Sequence, residues 1–436
     1  MGFWVHDASA RHPERVAIEG PERSTTYAEL SVHAREGVRD LQMRGIHSGD
    51  RVALPIDDRA QFAIALHACL LHGAVAVPID PRLTDAERRA RTIGAALELR
   101  GAPGCSDRAP PGTKIMMHPT VWSDAALRQP ATLLYTSGST AAPKPVELTY
   151  GNWYANAVGS AVALGLDPQE RWLCAMPLAH VGGLSILIRS LIYATTVVLH
   201  ERFDTRAVLD ELMDPGRRIS LVSLVPTMLS RLLDAGLRRP PTLRWALLGG
   251  GPISPALLER AAAAGVPVAP SYGMTEACSQ IATFGMPLHG VECRIAGDGE
   301  IEVRGPVVAP GAADAQGWLH TGDLGRFDES GRLVVLGRKS EVIVSGGENV
   351  APVEVEAVLC AHPDVADAAV FAREDAEWGE AVVAKVVPLP GAAPDPERLR
   401  AFCRERLAAF KVPRTIEFAA RLPRTESGKL VRRELR

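Results

Sequence analysis

The chain is poor in the features that mark secreted, metal-stapled or membrane-spanning proteins. Its seven cysteines include no CxxC pair, so neither a zinc site nor a disulfide framework is predicted. The N-terminal residues contain no basic region followed by an apolar one, which argues against a secretory signal. The most apolar stretch, 184–199, contains Arg189 and is too short to span a bilayer. These absences favour a cytoplasmic location without membrane insertion.

Charge of one sign is equally scarce. The formal net charge is -3 and the charged fraction is 23%, so no basic surplus is available to attract nucleic acid or anionic lipid. Hydrophobic residues make up 47% of the chain, which is the balance of a globular protein. A length of 436 residues exceeds what one core usually accommodates, and we expect two or three domains.

Helix and strand patterns alternate along the first two thirds of the chain. Helices are predicted at 27–41 and 61–72, strands at 51–55, 74–78, 133–135, 219–225, 245–248 and 266–270, and a buried helix running into a strand at 184–199. Such alternation predicts a mostly parallel sheet covered by helices. The Pro- and Gly-rich segment 101–119 is predicted to cross the surface.

The pattern changes after about residue 290. Segments 293–305 and 325–338 contain Asp-Gly and Ser-Gly turns typical of hairpins. A compact unit follows, with strands at 341–345, 366–372 and 381–388 and helices at 352–360 and 396–407. We therefore predict an α/β fold with a large N-terminal domain, 1–338, of packed and mostly parallel sheets with helices plus a small β subdomain. A small α+β C-terminal domain, 339–436, completes it.

The strongest local motif is a hydroxyl-rich loop at 135–144, YTSGSTAAPK, that follows a strand. Backbone N–H groups, hydroxyls and a lysine in such a loop can surround phosphate oxygens. The loop does not match GxxxxGK[ST], so it is not a Walker A loop. An ordinary surface loop is an equally good interpretation of this segment taken alone.

Four further motifs follow in order. Segment 271–276, SYGMTE, offers an aromatic face for a base, hydroxyls for phosphate and a carboxylate, Glu276, for Mg²⁺. Asp323 follows a tight turn, where it can accept from ribose hydroxyls. Arg338 supplies a cation at the domain junction, and Lys429 lies after a glycine near the C-terminus. Each is unremarkable alone as a loop, a surface turn, an ion pair or a basic tail, but all five in this order favour a nucleotide site.

In this order the five motifs resemble those of the acyl-adenylate-forming superfamily, which comprises acyl- and aryl-CoA synthetases, peptide-synthetase adenylation domains and beetle luciferases. The resemblance runs over nearly the whole chain and implies ATP and Mg²⁺ as cofactors, with coenzyme A as a substrate. It also implies that the C-terminal domain is mobile. The ATP-binding residues that it implies are Thr136, Ser137, Gly138, Ser139, Thr140, Lys144, Gly250, Gly251, Pro252, Ser271, Tyr272, Gly273, Thr275, Asp323 and Arg338.

The resemblance also assigns catalytic roles. Adenylation brings a carboxylate and the α-phosphate together, so Mg²⁺ on Glu276 and the ammonium of Lys429 would neutralise the charge that develops. Thiol attack would follow after the C-terminal domain swings about a hinge at Ser340. Gly346 and Gly347 would then lie beside the pantetheine of CoA, although a plain turn would also account for them.

Segments 177–185, 192–203 and 271–280 are most similar to the o-succinylbenzoate–CoA ligases of menaquinone biosynthesis, which implies an aromatic dicarboxylic acid as substrate. His180 would lie beside the acyl carboxylate as a catalytic residue. The acyl-site residues that this resemblance implies are His180, Ser185, Arg189, Gly249, Gly273, Met274, Ser279 and Gln280. Arg189, a cation inside an apolar helix, would bind the second carboxylate or form a structural ion pair.

Two residues depart from the family pattern. The phosphate loop has Ala141 and Pro145 where relatives usually have glycine, which limits the loop's backbone conformations and removes one N–H donor. Two alternatives therefore stay open: a ligase or stand-alone adenylating enzyme for another acid, and a degenerate nucleotide-binding protein. The expected partners are a small carboxylic acid, ATP and CoA, without nucleic acid, and a homodimer is the assembly to test.

Overall fold

The computed structural model describes residues 3–99, 123–136, 144–424 and 430–435, with the side chains of Phe3 and Arg433 excepted. The predicted surface crossing at 101–119 lies outside the described residues. So do Ser137, Gly138, Ser139, Thr140 and Ala141 of the phosphate loop, and so does Lys429.

The first part of the chain builds one helix-covered sheet and begins another. Its elements are α1 (Phe3–Arg11), β1 (Val16–Glu19), β2 (Ser24–Thr26), α2 (Tyr27–Met43), β3 (Arg51–Pro55), α3 (Arg59–His72), β4 (Val75–Ile79), α4 (Asp85–Thr92), β5 (Leu97–Glu98), α5 (Asp124–Leu127) and β6 (Pro130–Thr136). The helix at 27 begins at a capping box, in which Thr26 and Glu29 each bind the other's backbone N–H.

The middle of the chain continues the same alternation. Its elements are β7 (Lys144–Thr149), α6 (Tyr150–Leu164), β8 (Arg171–Cys174), α7 (Val181–Tyr193), β9 (Thr196–Leu199), α8 (Thr205–Met213), β10 (Leu221–Leu224), α9 (Pro226–Asp234), β11 (Trp245–Leu248), α10 (Pro255–Ala263), β12 (Val268–Met274), β13 (Ser279–Thr283) and β14 (Met286–Pro287). The predicted strands at 51–55 and 245–248 and the helix at 352–360 have the predicted bounds, whereas most other boundaries differ by one to four residues.

The last third is predominantly antiparallel. It contains β15 (Glu292–Ile295), β16 (Glu300–Arg304), β17 (Leu319–Phe327), β18 (Leu333–Arg338), β19 (Ile343–Ser345), β20 (Glu348–Val350), α11 (Pro352–Cys360), β21 (Val365–Asp375), β22 (Gly379–Pro388), α12 (Pro396–Arg404) and β23 (Thr415–Phe418). Both hairpins predicted after residue 290 are present, as β15–β16 and β17–β18.

The described strands form four sheets. The largest has the order β14-β13-β12-β11-β10-β8-β9-β1-β2, and a second has the order β5-β3-β4-β6-β7. Both are parallel through their centres and antiparallel at an edge. The sheet β15-β16-β17-β18 forms the small β subdomain, and β20-β19-β22-β21 with β23 forms the C-terminal sheet. The predicted α/β class with a separate C-terminal α+β unit is confirmed.

The main core lies where helices pack between the two large sheets. Its largest fully buried side chains include Trp153, Trp172, Tyr27 and Phe62. Helix α7 is buried almost all round, from Gly183 to Leu191, as expected of a helix without a polar face. In the described part of the chain, no helix combines the length and apolarity that crossing a bilayer requires.

Candidate active site

Three of the predicted ATP-binding residues touch one another where the β subdomain meets the large sheet. Asp323 and Arg338 are paired in the β17–β18 register, and Arg338 Nε lies 2.9 Å from Asp323 Oδ1. The Tyr272 hydroxyl, which comes from β12, donates to Asp323 Oδ2 at 2.8 Å. Arg338 Nη1 also donates to the carbonyl of Thr321 at 3.2 Å. Residues distant in sequence therefore form one hydrogen-bonded cluster.

The cluster is preorganised because its carboxylate is buried and already bound. Asp323 is only 5% exposed, and its backbone N–H donates to Thr321 Oγ1. Burial, followed by the neighbouring charge of Asp323, raises the pKa of Tyr272, so this phenol remains a donor. Nearly half of the Arg338 side chain stays exposed. A carboxylate held this way can accept from ribose hydroxyls without first reorganising.

Glycines bring two backbone segments close beside this cluster. A Cβ at Gly249 would lie 3.0 Å from the carbonyl oxygen of Ser271. A Cβ at Gly273 would lie 1.6 Å from the carbonyl oxygen of Ser279, so no side chain fits there. The sequence predicted that segment 271–276 follows a strand, but Ser271 lies within β12, which continues to Met274. The reason is that β13 pairs with this strand and extends it.

Glu276 lies on a 3₁₀ turn, Thr275–Ala277, that is followed by a strained segment. Cys278 and Ser279 follow it with φ of 52° and 91°, a region that non-glycine residues seldom adopt. The carbonyl of Glu276 accepts from the Ala309 N–H at 2.8 Å. Strand β7, which begins at Lys144, packs against this turn. The turn that carries Glu276 thus lies near the β6–β7 hairpin.

A single carboxylate suits Mg²⁺ in a nucleotide site, because this ion usually takes one or two protein oxygens and completes its shell with phosphates and water. Among the described residues, no group of three or more His, Cys, Asp or Glu side chains is arranged to hold a metal. A single carboxylate such as Glu276 therefore fits an ion that arrives with a nucleotide.

Strand β7 also shows how the chain accommodates Pro145. Thr136 pairs with Lys144 and Tyr135 with Pro145 across the β6–β7 hairpin, and the Thr136 hydroxyl donates to the Lys144 carbonyl at 3.5 Å. Strand β7 is an edge of its sheet, where a proline is tolerated. Lys144 is exposed. Pro145 therefore does not disrupt the hairpin that presents the loop.

Arg189 lies in α7 and is 1% exposed. One guanidinium nitrogen, Nη2, donates to Asn156 Oδ1, and the guanidinium carbon lies 5.8 Å from the centre of the Trp172 ring. Nε and Nη1 are buried without a hydrogen-bond partner. Burial lowers the pKa of Arg189. Among the described residues no carboxylate pairs with it, so the predicted structural ion pair is absent from that part of the chain.

A polar chain links Arg189 to β13. Asn156 Nδ2 donates to the carbonyl of Gln280 at 3.0 Å, and Gln280 Nε2 donates to Thr283 Oγ1 at 2.7 Å. Gln280 is 2% exposed and its Oε1 has no partner. Buried amides and cations without partners are costly. This region therefore keeps polar groups that a polar ligand would satisfy.

His180 caps the N-terminal end of the same helix without a side-chain cap bond. Asp80, at the carboxyl end of β4, carries a charge that interacts with His180. Burial disfavours ionisation of Asp80, but hydrogen bonds and charge from Arg82, with His180 adding, leave its pKa below the ordinary value. Ser185 is 1% exposed and its hydroxyl donates to the Gly182 carbonyl at 2.9 Å. The Ser185 hydroxyl is therefore bound to the backbone of its own helix, three residues earlier.

The predicted CoA and hinge residues lie in or before the C-terminal sheet. Gly346 and Gly347 form the β19–β20 turn with φ of 61° and 84°, and a Cβ at Gly346 would lie 2.5 Å from the Trp378 ring. Ser340 lies in a 3₁₀ turn, Lys339–Glu341. Lys429 lies outside the described residues, between Arg424 and Leu430, which form a β-bridge.

The structure brings the predicted residues into two groups. Tyr272, Asp323 and Arg338 meet in one, and Arg189 meets the backbone of Gln280 through Asn156 in the other. The sequence interpretation missed Asn156 and Asp80. Nothing in the sequence singled out Asn156, whereas Asp80 directly follows a buried strand, the position at which parallel sheets present ligand-binding side chains.

Comparison with known proteins agrees with this geometry. Residues 5–99 and 96–312 match the AMP-binding enzyme family, and residues 354–429 match the AMP-binding enzyme C-terminal domain. The 2-succinylbenzoate–CoA ligase of Bacillus licheniformis is 40% identical, and the match covers 99% of this chain and 98% of that protein. The chain spans nearly the full length of this relative.

Solved structures give the same result. The o-succinylbenzoate CoA synthetase (MenE) of Bacillus subtilis in complex with the acyl-adenylate intermediate OSB-AMP superposes with a TM-score of 0.87 at 37% identity, covering 99% of this chain and 97% of that chain. The same B. subtilis enzyme in complex with ATP and magnesium ion gives a TM-score of 0.85 at 36% identity, covering 99% and 98%. From its sequence, its fold and the arrangement of its site, the chain belongs to the AMP-binding enzyme family.

Proposed function

We propose that this protein is an ATP-dependent acid–CoA ligase that converts o-succinylbenzoate to o-succinylbenzoyl-CoA in menaquinone biosynthesis. The carboxylate displaces pyrophosphate from ATP to give an acyl-adenylate, and the thiol of CoA then displaces AMP to give the thioester. The observation that carries the choice of acid is Arg189, a buried cation without a carboxylate partner among the described residues. The 2-succinylbenzoate–CoA ligase and the MenE structure that match nearly the whole chain agree with it.

The nucleotide is held by the preorganised cluster. Asp323 accepts from the ribose hydroxyls, Arg338 stays on Asp323, and Tyr272 presents its ring to the base. Glycine at 249 and 273 leaves backbone free of side chains where the adenylate lies. Thr136, Lys144 and the intervening loop bind the phosphates.

Adenylation then requires charge neutralisation more than a protein nucleophile. Glu276 would hold Mg²⁺, which supplies positive charge on the phosphates when bound. Lys429 stabilises the negative charge that develops as the carboxylate oxygen bonds to the α-phosphorus and pyrophosphate departs. His180, with Asp80 beside it, lies next to the reacting carboxylate.

Arg189 recognises the carboxylate that is not activated. Nε and Nη1 each offer a donor in a site from which water is largely excluded, where a charge-assisted hydrogen bond to a carboxylate is strong. Asn156 and Gln280 would hold the guanidinium and line the pocket around it. An aromatic monocarboxylic acid would leave this cation uncompensated.

The thioester step needs a different face of the C-terminal domain, because the adenylating lysine must leave before the thiol enters. We assign the rotation to Ser340 and the CoA passage to the turn at Gly346 and Gly347. The domains of this proposal are 1–338 and 339–436. The cytoplasm, where ATP and CoA are present, is the proposed location.

Pyrophosphate release from ATP and Mg²⁺, measured with a panel of aromatic mono- and dicarboxylic acids with and without CoA, tests the assignment. Release with o-succinylbenzoate, with a thioester formed once CoA is added, is the expected result. Pyrophosphate release with another acid would assign that acid as the substrate instead. Pyrophosphate release that never leads to a thioester would identify a stand-alone adenylating enzyme.

Lys429→Ala separates the two steps. We expect pyrophosphate release to fall by at least roughly a thousandfold, because the charge on the transferring phosphoryl group loses its cation. Thioester formation from supplied acyl-adenylate should stay within about threefold, because that step does not use this lysine. Equal losses in both steps would contradict the domain rotation.

A homodimer is part of the proposal. Exposed apolar side chains on α6 and just beyond it, namely Tyr154, Val162 and Leu166, border an apolar groove of about 500 Å³ against α1. Asp7 and Arg11 line the same groove, and opposite charges one helical turn apart can pair across a two-fold axis. Light scattering of wild type and Val162→Glu tests this, with exposed Val32→Glu on α2 as the matched control.

A further inference from the structure

The segment that joins the two domains is attached differently on its two sides. On the N-terminal side, Lys339 Nζ lies 2.5 Å from Asp298 Oδ2 and 3.0 Å from Glu300 Oε2. Glu300 is the first residue of β16, is 8% exposed, and accepts from the Gly322 N–H at 2.8 Å. Lys339 is thereby tied to the β subdomain, next to the nucleotide cluster.

On the C-terminal side, Glu341 Oε2 accepts from Arg432 Nε at 2.7 Å. Arg432 is fixed within the C-terminal domain, because its Nη1 donates to Glu356 Oε1 and to the Val370 carbonyl, each at 2.6 Å. Its side chain is 16% exposed. Glu341 is thereby tied to the helix and sheet of the C-terminal domain.

Between these two attachments lies one residue, Ser340, which is exposed. In the part of the chain that the structure describes, no hydrogen bond holds its hydroxyl. Ser340 and its two peptide bonds are therefore the only backbone between the residue attached to the β subdomain, Lys339, and the residue attached to the C-terminal domain, Glu341.

We propose that Lys339 and Glu341 are positioning residues that confine the rotation between the domains to Ser340, with Lys339 remaining attached to the β subdomain and Glu341 to the C-terminal sheet and helix. The inference rests on the domain rotation in the proposed function. It adds a reason for the location of the hinge in this chain. Because Lys339 is fixed, the preceding Arg338 stays on Asp323 while the C-terminal domain turns.

Freezing the hinge and then loosening a tie tests the proposal. A 3₁₀ turn has φ close to the value that proline imposes, so Ser340→Pro is compatible with this turn and removes rotation about φ at the proposed hinge. We expect one half-reaction to fall at least roughly tenfold while the other stays within about twofold. The retained half-reaction shows that the variant is folded.

The decisive variants add the loss of a tie. In Lys339→Met/Ser340→Pro and in Glu341→Ala/Ser340→Pro, the residue beside the proline is released and can supply the missing rotation. We expect the impaired half-reaction to recover at least about threefold in each. Lys339→Arg/Ser340→Pro, which keeps a cation on Asp298 and Glu300, is the matched control and should not recover.

Absence of recovery in both double variants overturns the proposal, as does equal recovery in the arginine control. A Ser340→Pro variant with both half-reactions unchanged also overturns the hinge proposal. In that case the enzyme still performs adenylation and thioester formation, so the proposed function stays intact. Failure of the wild type to form any acyl-adenylate would instead overturn the proposed function.

Discussion

Asp323 and Arg189 are both buried charged residues, yet their surroundings differ in kind. Asp323 has its cation, its phenol donor and a backbone bond already in place. Arg189 donates one hydrogen bond, to the amide oxygen of Asn156, and its other two nitrogens have no hydrogen-bond partner. The proposed nucleotide side therefore has its charged groups already paired, whereas the proposed acyl side keeps two buried donors that a carboxylate would satisfy.

This difference accords with what each side must recognise. ATP is common to the whole family, so a rigid cluster with fixed geometry serves it. The acid varies between members, and an unsatisfied buried cation discriminates strongly because the wrong acid leaves it unpaired. The contrast predicts that mutations on the two sides separate substrate affinity from stability.

Within this comparison, the largest effect is expected from Arg189→Met. Loss of the cation leaves the second carboxylate of the acid buried without a partner, so kcat/KM for o-succinylbenzoate should fall by about two to three orders of magnitude. The free energy of unfolding should not fall, because an uncompensated buried charge is removed. Steady-state kinetics and thermal unfolding of the same preparation check both expectations.

Arg244→Met is the matched control. Arg244 pairs with Glu170 at 2.8 Å, and the Glu170 side chain is 2% exposed. Its loss leaves a buried carboxylate, so unfolding should become easier by about 3 kcal/mol. If Arg189→Met destabilised the protein as much as Arg244→Met, the two arginines would have the same structural role and the contrast would fail.

Asp323→Asn is expected to act on the nucleotide side alone. Arg338 loses its ionic partner and the ribose loses a charged acceptor, so the KM for ATP should rise by roughly tenfold to a hundredfold. The KM for the acid should stay within about twofold.

Tyr272→Phe removes one neutral donor from the same carboxylate and should raise the KM for ATP by about fivefold. A larger rise in the KM for the acid would contradict this assignment.

The smallest effect concerns Asp80, which with Arg82 forms a satisfied pair on the acyl side, 2.6 Å apart. Because the folded-state pKa of Asp80 is lowered, its contribution to stability is fully present above the unfolded value, about 3.9. The contribution is lost as pH falls through the folded-state pKa. Asp80→Asn should therefore lower stability by at most about 1 kcal/mol at pH 7.

Thermal unfolding of wild type and Asp80→Asn at pH 7 and near pH 3 measures this dependence. The difference between the two proteins should shrink at the acidic pH. A stability difference between the two proteins that grows on acidification would mean that the surroundings disfavour the ionised form of Asp80. Asp80 and Arg82 would then not be a stabilising ion pair near His180.

The sequence alone was sufficient for the fold class and for most elements. A short apolar run such as 51–55 and a helical segment such as 352–360 depend on local burial, and the structure has both with the predicted bounds. The motifs that identified a nucleotide site are also local, because each is a short run of residues that can be recognised in the sequence. Their order along the chain then indicated the family.

Only the tertiary structure decided which polar groups are satisfied. Asn156 lies 33 residues from Arg189 in the chain, and the ties at Lys339 and Glu341 reach 41 and 91 residues away. No local pattern encodes such pairs, because a hydrogen bond depends on a few ångströms of separation set by the packing of whole elements. The sequence therefore determined which chemistry the chain can perform. The packing decided which buried cation lacks a carboxylate partner among the described residues and how the segment between the two domains is attached.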